Sequence, residues 1–127
     1  MNPKQFLMLG GIVLVLVAIL GWVGVIGPMP ADSIFGEAWY FDMYENWAHL
    51  ILGVVALIAA YALKNAEAQK WLVILVGLVG LFFGVWNLFS STFGGANLEQ
   101  HADTVLHFVV GIWALCSAWM CCSKRMA

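Results

Sequence analysis

The chain has 127 residues, of which 64% are hydrophobic and 9% are charged, and its formal net charge is −2. A soluble domain averages about 45–50% apolar and about 25% charged residues, so this composition excludes an ordinary water-soluble fold. The small net charge does not favour a nucleic-acid partner. We therefore expect a membrane protein whose main partner is the lipid bilayer.

Four apolar runs follow one another along the chain, and each is long enough to cross a bilayer. A spanning helix needs about 20 residues, with a range of about 17–25. The predicted helices cover residues 6–26, 47–63, 71–89 and 104–122. We predict a single transmembrane domain, 1–127, with an all-α fold class: an integral membrane four-helix bundle.

The charged residues fall on opposite sides of the membrane when four spans are drawn. All five basic residues lie on one side, and six of the seven acidic residues lie on the other. Because short cytoplasmic loops carry an excess of Lys and Arg, the basic side is expected to be cytoplasmic. The sequence thus predicts cytoplasmic N and C termini and two acidic loops that face outward.

The two outer loops differ in composition. The first, Gly27 to Asn46, is rich in aromatic residues, which collect at membrane–water boundaries. We expect this loop to lie along the outer surface of the bilayer. It is also expected to contain a short helix over 34–39, capped by Asp32 or Ser33. The second, 90–100, is polar and glycine-rich, and we expect it to be flexible.

The two halves of the chain resemble each other. Residues 45–60 match residues 103–118 at an offset of 58, with an acid, a His and a Gly at the same spacing. A weaker match pairs Gly21 with Gly77, in the first and third helices, at an offset of 56. The pattern predicts two parallel helical-hairpin repeats, about 6–63 and 71–122.

Two acid–His pairs form the candidate site. A spacing of four places Glu45 and His49 on one face of the second helix, and Asp103 and His107 on the matching face of the fourth. Glycine and alanine continue each face, so we expect both faces to pack against other helices. An ionisable side chain within a membrane is costly and indicates a functional site by default.

Three interpretations of these pairs remain open, and the structural one is favoured. In it, each acid interacts with a helix N-terminus and its carboxylate accepts a hydrogen bond from the His four residues later. The second is a metal site in which Glu45, His49, Asp103 and His107 bind zinc or another divalent transition metal. The third is a haem held between His49 and His107 as axial ligands.

A catalytic function has less support. No Ser or Cys lies beside these histidines in the sequence, and the cysteines are predicted at the opposite side of the membrane. A transporter usually needs polar groups through the midplane, whereas the middles of these helices are almost purely apolar. We therefore favour a non-enzymatic protein.

Short motifs in the second and fourth helices carry a resemblance. The elements Asn46-Trp-Ala-His49-x3-Gly53 and Ala102-Asp103-x3-His107-x3-Gly111 resemble those of a bacterial family of uncharacterised small four-helix membrane proteins. The resemblance implies a four-helix bundle in the bacterial inner (plasma) membrane, and it implies no activity.

The function predicted from these features is that of a small membrane protein of structural or accessory type. It would be a subunit of a larger membrane complex or form a homo-oligomer, and it would need no cofactor. The alternative is a metal- or haem-binding membrane protein that uses the outer acid/His cluster.

Overall fold

The computed structural model describes residues 1–93, 95–98 and 102–126. It contains four α-helices: α1 (Pro3–Trp22), α2 (Met43–Ala62), α3 (Ala66–Phe89) and α4 (Ala102–Met126). Each helix is long and apolar enough to cross a membrane. The prediction of an all-α fold with four membrane-spanning helices is therefore confirmed.

Polar caps place the starts of three helices earlier than the apolar runs predict. Asn2 forms a capping box with Gln5 before α1, and Asp42 forms one with Glu45 before α2. The side chain of Asn65 accepts a hydrogen bond from the backbone of Glu67 at the start of α3. Each cap satisfies an N–H group that has no partner within its helix.

The end of α1 also differs from its prediction, because the helix stops at Trp22 instead of residue 26. Gly24 has a φ of +85°, in the left-handed region, where only glycine is free of steric penalty. A left-handed glycine just past the last turn is a common way to end a helix. The four residues after Trp22 therefore belong to the loop.

Glycines bring the helices of each hairpin into close contact near the middle of the membrane span. Gly11 of α1 faces the backbone of Gly53 in α2, and Gly77 of α3 faces the backbone of Gly111 in α4. A Cβ at any of these positions would lie within about 3.1 Å of the partner helix. In these contacts Gly11 has the place in the first hairpin that Gly77 has in the second, whereas Gly21 faces the side chain of Asn46.

The two hairpins meet mainly through α1, which contacts α2, α3 and α4, whereas α2 packs chiefly against α1. We call the end of the bundle with the α1–α2 and α3–α4 connections the loop end. The apolar core lies toward the opposite end, where the ring of Phe6 packs edge-on against Trp113 at 4.6 Å between centroids. The buried core residues are Phe6, Leu7, Ala59, Ala60, Val73, Ala114 and Ala118.

The α1–α2 loop is held by hydrogen bonds of the Ser33 side chain, and the predicted helix over 34–39 is only a 3₁₀ turn within that range. It contains two 3₁₀ turns, Pro30–Asp32 and Gly36–Ala38, and neither has a side-chain cap. The hydroxyl of Ser33 donates to the Trp39 carbonyl at 2.7 Å and accepts from the Phe35 N–H at 3.1 Å. Ser33 therefore folds the loop back on itself, where a helix cap was expected.

The α3–α4 loop forms a short antiparallel pair, β1 (Thr92–Phe93) with β2 (Ala96–Asn97), which the sequence did not predict. Phe93 packs against Phe83 at 4.9 Å and against Trp86 at 5.4 Å between ring centroids. The other strand contacts α2. The second loop thus rests on both hairpins.

Candidate functional site

Several polar side chains are buried together at the loop end. Five of them are at most 8% exposed, and we call them the polar layer: Glu45, Asn46, Asn87, Asp103 and Thr104. Burial of such groups is unfavourable unless they are hydrogen-bonded. The chain supplies these bonds between helices and from the α1–α2 loop, so the layer joins parts of the fold that are distant in sequence.

Asn46 lies near the start of α2, and its side chain points toward α1. Its Nδ2 donates to the carbonyl of Phe41 at 3.5 Å, and its side chain fits against Gly21, where a Cβ would collide with Oδ1. Oδ1 is buried with no hydrogen-bond partner among the described residues. A Cα–H of a closely packed helix is a weak donor for such an oxygen. Gly21 is therefore needed to seat Asn46.

The second hairpin holds an equivalent interhelical contact. Nδ2 of Asn87 in α3 donates to the hydroxyl of Thr104 in α4 at 3.0 Å, and both side chains are buried. Here the amide comes from the first helix of the hairpin instead of the second. Each hairpin thus buries one amide between its helices near the loop end, and in the second hairpin this amide makes a hydrogen bond from helix to helix.

Asp103 receives a hydrogen bond from the other half of the chain. The indole Nε1 of Trp39, in the α1–α2 loop, donates to its Oδ1 at 3.2 Å. The carboxylate is only 2% exposed, and bonds to charged groups are stronger than those between neutral groups. This bond fastens the first loop onto α4.

The two histidines make the same local contact. Nδ1 of His49 lies 2.6 Å from the carbonyl of Glu45, and Nδ1 of His107 lies 2.7 Å from the carbonyl of Asp103. A carbonyl only accepts, so Nδ1 must carry the proton in both rings. When the imidazole is neutral, the other ring nitrogen, Nε2, then has a free lone pair.

Aromatic rings cover both histidines. Phe41 stacks on His49 at 4.9 Å and Phe83 on His107 at 5.6 Å between centroids, each with an interplanar angle of 32°. Both imidazoles remain half-buried.

The predicted carboxylate–histidine bonds are not formed, because each His uses a backbone carbonyl of its own helix instead. The carboxylate of Glu45 accepts from the backbone N–H of Asp42 at 3.5 Å, as part of the cap of α2. The expectation that an acid four residues earlier accepts through its side chain was therefore wrong for both pairs. Each histidine does bond to the acid four residues earlier, but the acceptor is the backbone carbonyl of that acid and not its carboxylate.

No group of three or more His, Cys, Asp and Glu side chains in the described part of the chain is placed to hold a metal. Two apolar surface depressions lie away from the polar layer, one beside Leu57 and Tyr61 and the other beside Phe82 and Phe89. His101, adjacent in sequence to α4, lies outside the described residues. Glu45, His49, Asp103 and His107, the four predicted metal ligands, thus do not form such a group in the described part of the chain.

Sequence reasoning missed Trp39, Phe41 and Phe83, which contact the buried acid and the histidines. The abundance of aromatic residues in the first loop was visible, but it was interpreted only as an affinity for the membrane surface. No family model, no curated protein and no solved structure matches this chain.

Proposed function

We propose that the chain is a small multi-pass membrane protein of structural or accessory type that acts as a subunit of a larger membrane complex or as a homo-oligomer. The single observation that carries this proposal is the distribution of buried polar groups along the described helices. Most of them lie at the loop end, where Asn46, Asn87 and Asp103 hydrogen-bond to other parts of the chain.

The middle of the bundle supports the same proposal. There the helices of each hairpin approach through glycine, with Gly11 against Gly53 and Gly77 against Gly111. Proton relays and substrate pathways place ionisable groups across the membrane interior. Among the described residues that level has close glycine contacts within each hairpin and no buried ionisable side chain, which suits a rigid scaffold better than a transport path.

We also propose that the hairpins are internal repeats. The glycine contacts support offsets of 66 between α1 and α3 and of 58 between α2 and α4. The 58-residue offset is also the one at which the two acid–His pairs match. In such parallel repeats the two hairpins are related by an axis along the membrane normal.

The proposed location is the bacterial inner membrane, with both termini in the cytoplasm and the acidic loops outside. The basic residues on the side of the termini support this orientation. Reporter fusions test it: green fluorescent protein at the C-terminus should fluoresce, and alkaline phosphatase at the same site should be inactive. The reverse pattern would contradict the proposed orientation.

The accessory function is tested by measuring the assembly state without disrupting native contacts. Crosslinking in intact membranes, followed by native mass spectrometry in mild detergent, should give a defined complex larger than 13.9 kDa. The same membranes treated without crosslinker provide the background level. A strictly monomeric protein with no defined crosslinked species would overturn the proposal.

A further inference from the structure

Three lysines lie at the end of the bundle opposite the loop end, which we call the basic end. They are Lys4 in the first turn of α1, Lys64 just after α2 and Lys70 near the start of α3. Lys70 forms an ion pair with Glu67 at 4.0 Å, whereas Lys4 and Lys64 have no carboxylate partner among the described residues. The side chains of these two lysines are exposed. The basic end thus carries two positive charges that no described carboxylate offsets.

One of these charges lies beside an apolar depression on α2. The Nζ atom of Lys4 is 5.9 Å from the centroid of the Tyr61 ring. Tyr61 lines the depression together with Leu57, Ile58 and Ala62. An ammonium group is attracted to the face of an aromatic ring at this distance. The contact therefore places a positive charge of α1 at the edge of an apolar surface of α2.

The depression is open to the bilayer. The helix α2 packs chiefly against α1, and the side chain of Ile58 is 60% exposed. Tyr61 is the last residue but one of α2, and tyrosine rings collect at the membrane–water boundary. Leu57 and Ile58 lie about one helical turn closer to the middle of the span. The lysines are thus at the depth of lipid headgroups, and the depression is at the depth of the first acyl-chain carbons.

We propose that the basic end binds one anionic phospholipid, with the phosphate beside Lys4 and Lys64 and an acyl chain in the depression that Leu57 and Tyr61 line. A lysine ammonium binds a phosphate as a compact positive charge. Basic residues next to a membrane-spanning helix attract anionic lipids. A zwitterionic lipid would bring its own ammonium group close to these lysines, so a net negative headgroup is favoured. This inference is independent of the accessory function, since a structural subunit can carry such a lipid or lack it.

Photocrosslinking locates the lipid on the full chain. The protein is reconstituted in nanodiscs of phosphatidylcholine that contain phosphatidylglycerol with a diazirine in one acyl chain. After illumination, crosslinked peptides should concentrate at residues 57–62. Added unlabelled phosphatidylglycerol should compete for this site, whereas phosphatidylcholine and inorganic phosphate should not, because the site needs both the negative headgroup and the acyl chain.

Lysine variants test the headgroup contact by the same competition. Lys4→Gln and Lys64→Gln should each weaken the affinity for phosphatidylglycerol about fivefold, the value for one lysine near an anionic lipid. Lys70→Gln is the matched control. It removes the same charge from the same end, but its ammonium already pairs with Glu67, so it should change the affinity little. An equal loss in all three variants would indicate diffuse attraction and would overturn the site.

A second pair of variants tests the apolar contact. Ile58→Trp fills the depression and should reduce crosslinking at residues 57–62. Ile51→Trp is its control, since Ile51 is 57% exposed on the same helix but does not line the depression. The proposal is contradicted if the two Trp variants bind phosphatidylglycerol equally well. It is also contradicted by crosslinks spread evenly over the four helices, or by competition from inorganic phosphate alone.

Discussion

Gly21→Ala should destabilise the bundle, because the new methyl group would occupy the space of the Asn46 side chain. Gly10→Ala, on the same helix, is the matched control: its Cβ would meet only the ring of Phe6, at 3.9 Å, which is an ordinary contact. Ala favours the helix over Gly by about 1 kcal/mol in a helix interior such as position 10, and by less at position 21, which lies in the last turn of α1. The two variants therefore differ mainly in the space available to the new methyl group.

The expected loss of stability follows from the packing and the hydrogen bond that Asn46 would lose. Overpacking a filled interior costs about 1–3 kcal/mol. Displacing Asn46 also breaks its bond to the Phe41 carbonyl, and an unsatisfied buried polar group costs about 1–3 kcal/mol. After the helix-propensity gain, Gly21→Ala should lose about 1–5 kcal/mol, whereas Gly10→Ala should be neutral or gain up to about 1 kcal/mol.

Equilibrium unfolding in mixed detergent micelles, followed by circular dichroism, measures both variants under one set of conditions. The Asn46→Ala background tests the cause: once the amide is gone, Ala at position 21 should be tolerated, and the double-mutant cycle should show coupling of at least about 0.5 kcal/mol. If Gly21→Ala is as stable as Gly10→Ala, or if its cost is the same with and without Asn46, the contact does not determine stability.

Three further substitutions, with Trp119→Phe as a control, test contacts at both ends of the bundle. Trp39→Phe removes the bond to the Asp103 carboxylate and should destabilise the protein by about 1.5–3 kcal/mol in the same unfolding assay. Trp119→Phe, at a 79% exposed position, should change little. Asp42→Ala removes a helix cap and should cost about 1 kcal/mol, with faster hydrogen exchange confined to the first turn of α2. Gln69→Leu removes two bonds to the last carbonyls of α2 and should cost about 1–3 kcal/mol, with exchange accelerated at that helix end.

The number and type of helices could be predicted from the sequence because lipid imposes one requirement on every spanning segment. Each backbone polar group must be satisfied within the segment, so an apolar run of sufficient length has only the helix available. The boundaries could not be predicted in the same way. Asn2, Asp42 and Asn65 are polar cap residues, and a search for apolar runs excludes them and the first turn that follows.

The position of the candidate site could be predicted from the sequence, but its hydrogen bonds could not. The helical spacing placed Glu45 and His49 on one face, and the structure buries Glu45 there beside the half-buried histidine. Which oxygen His49 uses depends on competition: the carboxylate of Glu45 serves the helix cap, while its carbonyl is one turn below and within reach. Spacing alone does not decide between a side-chain oxygen and a backbone oxygen of the same residue.

Contacts between distant segments were outside the reach of pattern analysis. Trp39 and Asp103 are 64 residues apart, and no periodicity links a loop indole to a helix carboxylate. The same holds for Phe41, which precedes α2 and stacks on His49, whereas the ring on His107 comes from Phe83 inside α3. Similar surroundings of the two histidines are thus built from residues at unrelated sequence positions.

Under the proposed repeat, the polar contacts of the two hairpins also come from different residue types. With the offsets of 66 and 58 given by the glycine contacts, Gly21 is equivalent to Asn87, and Asn46 is equivalent to Thr104. Each hairpin has one buried amide at this depth, on α2 in the first hairpin and on α3 in the second. An alignment that matches glycine to glycine pairs Gly21 with Gly77 and so shifts the register by ten residues. In the proposed repeat, both hairpins have a buried amide at the same depth, but the helix and residue that provide it differ.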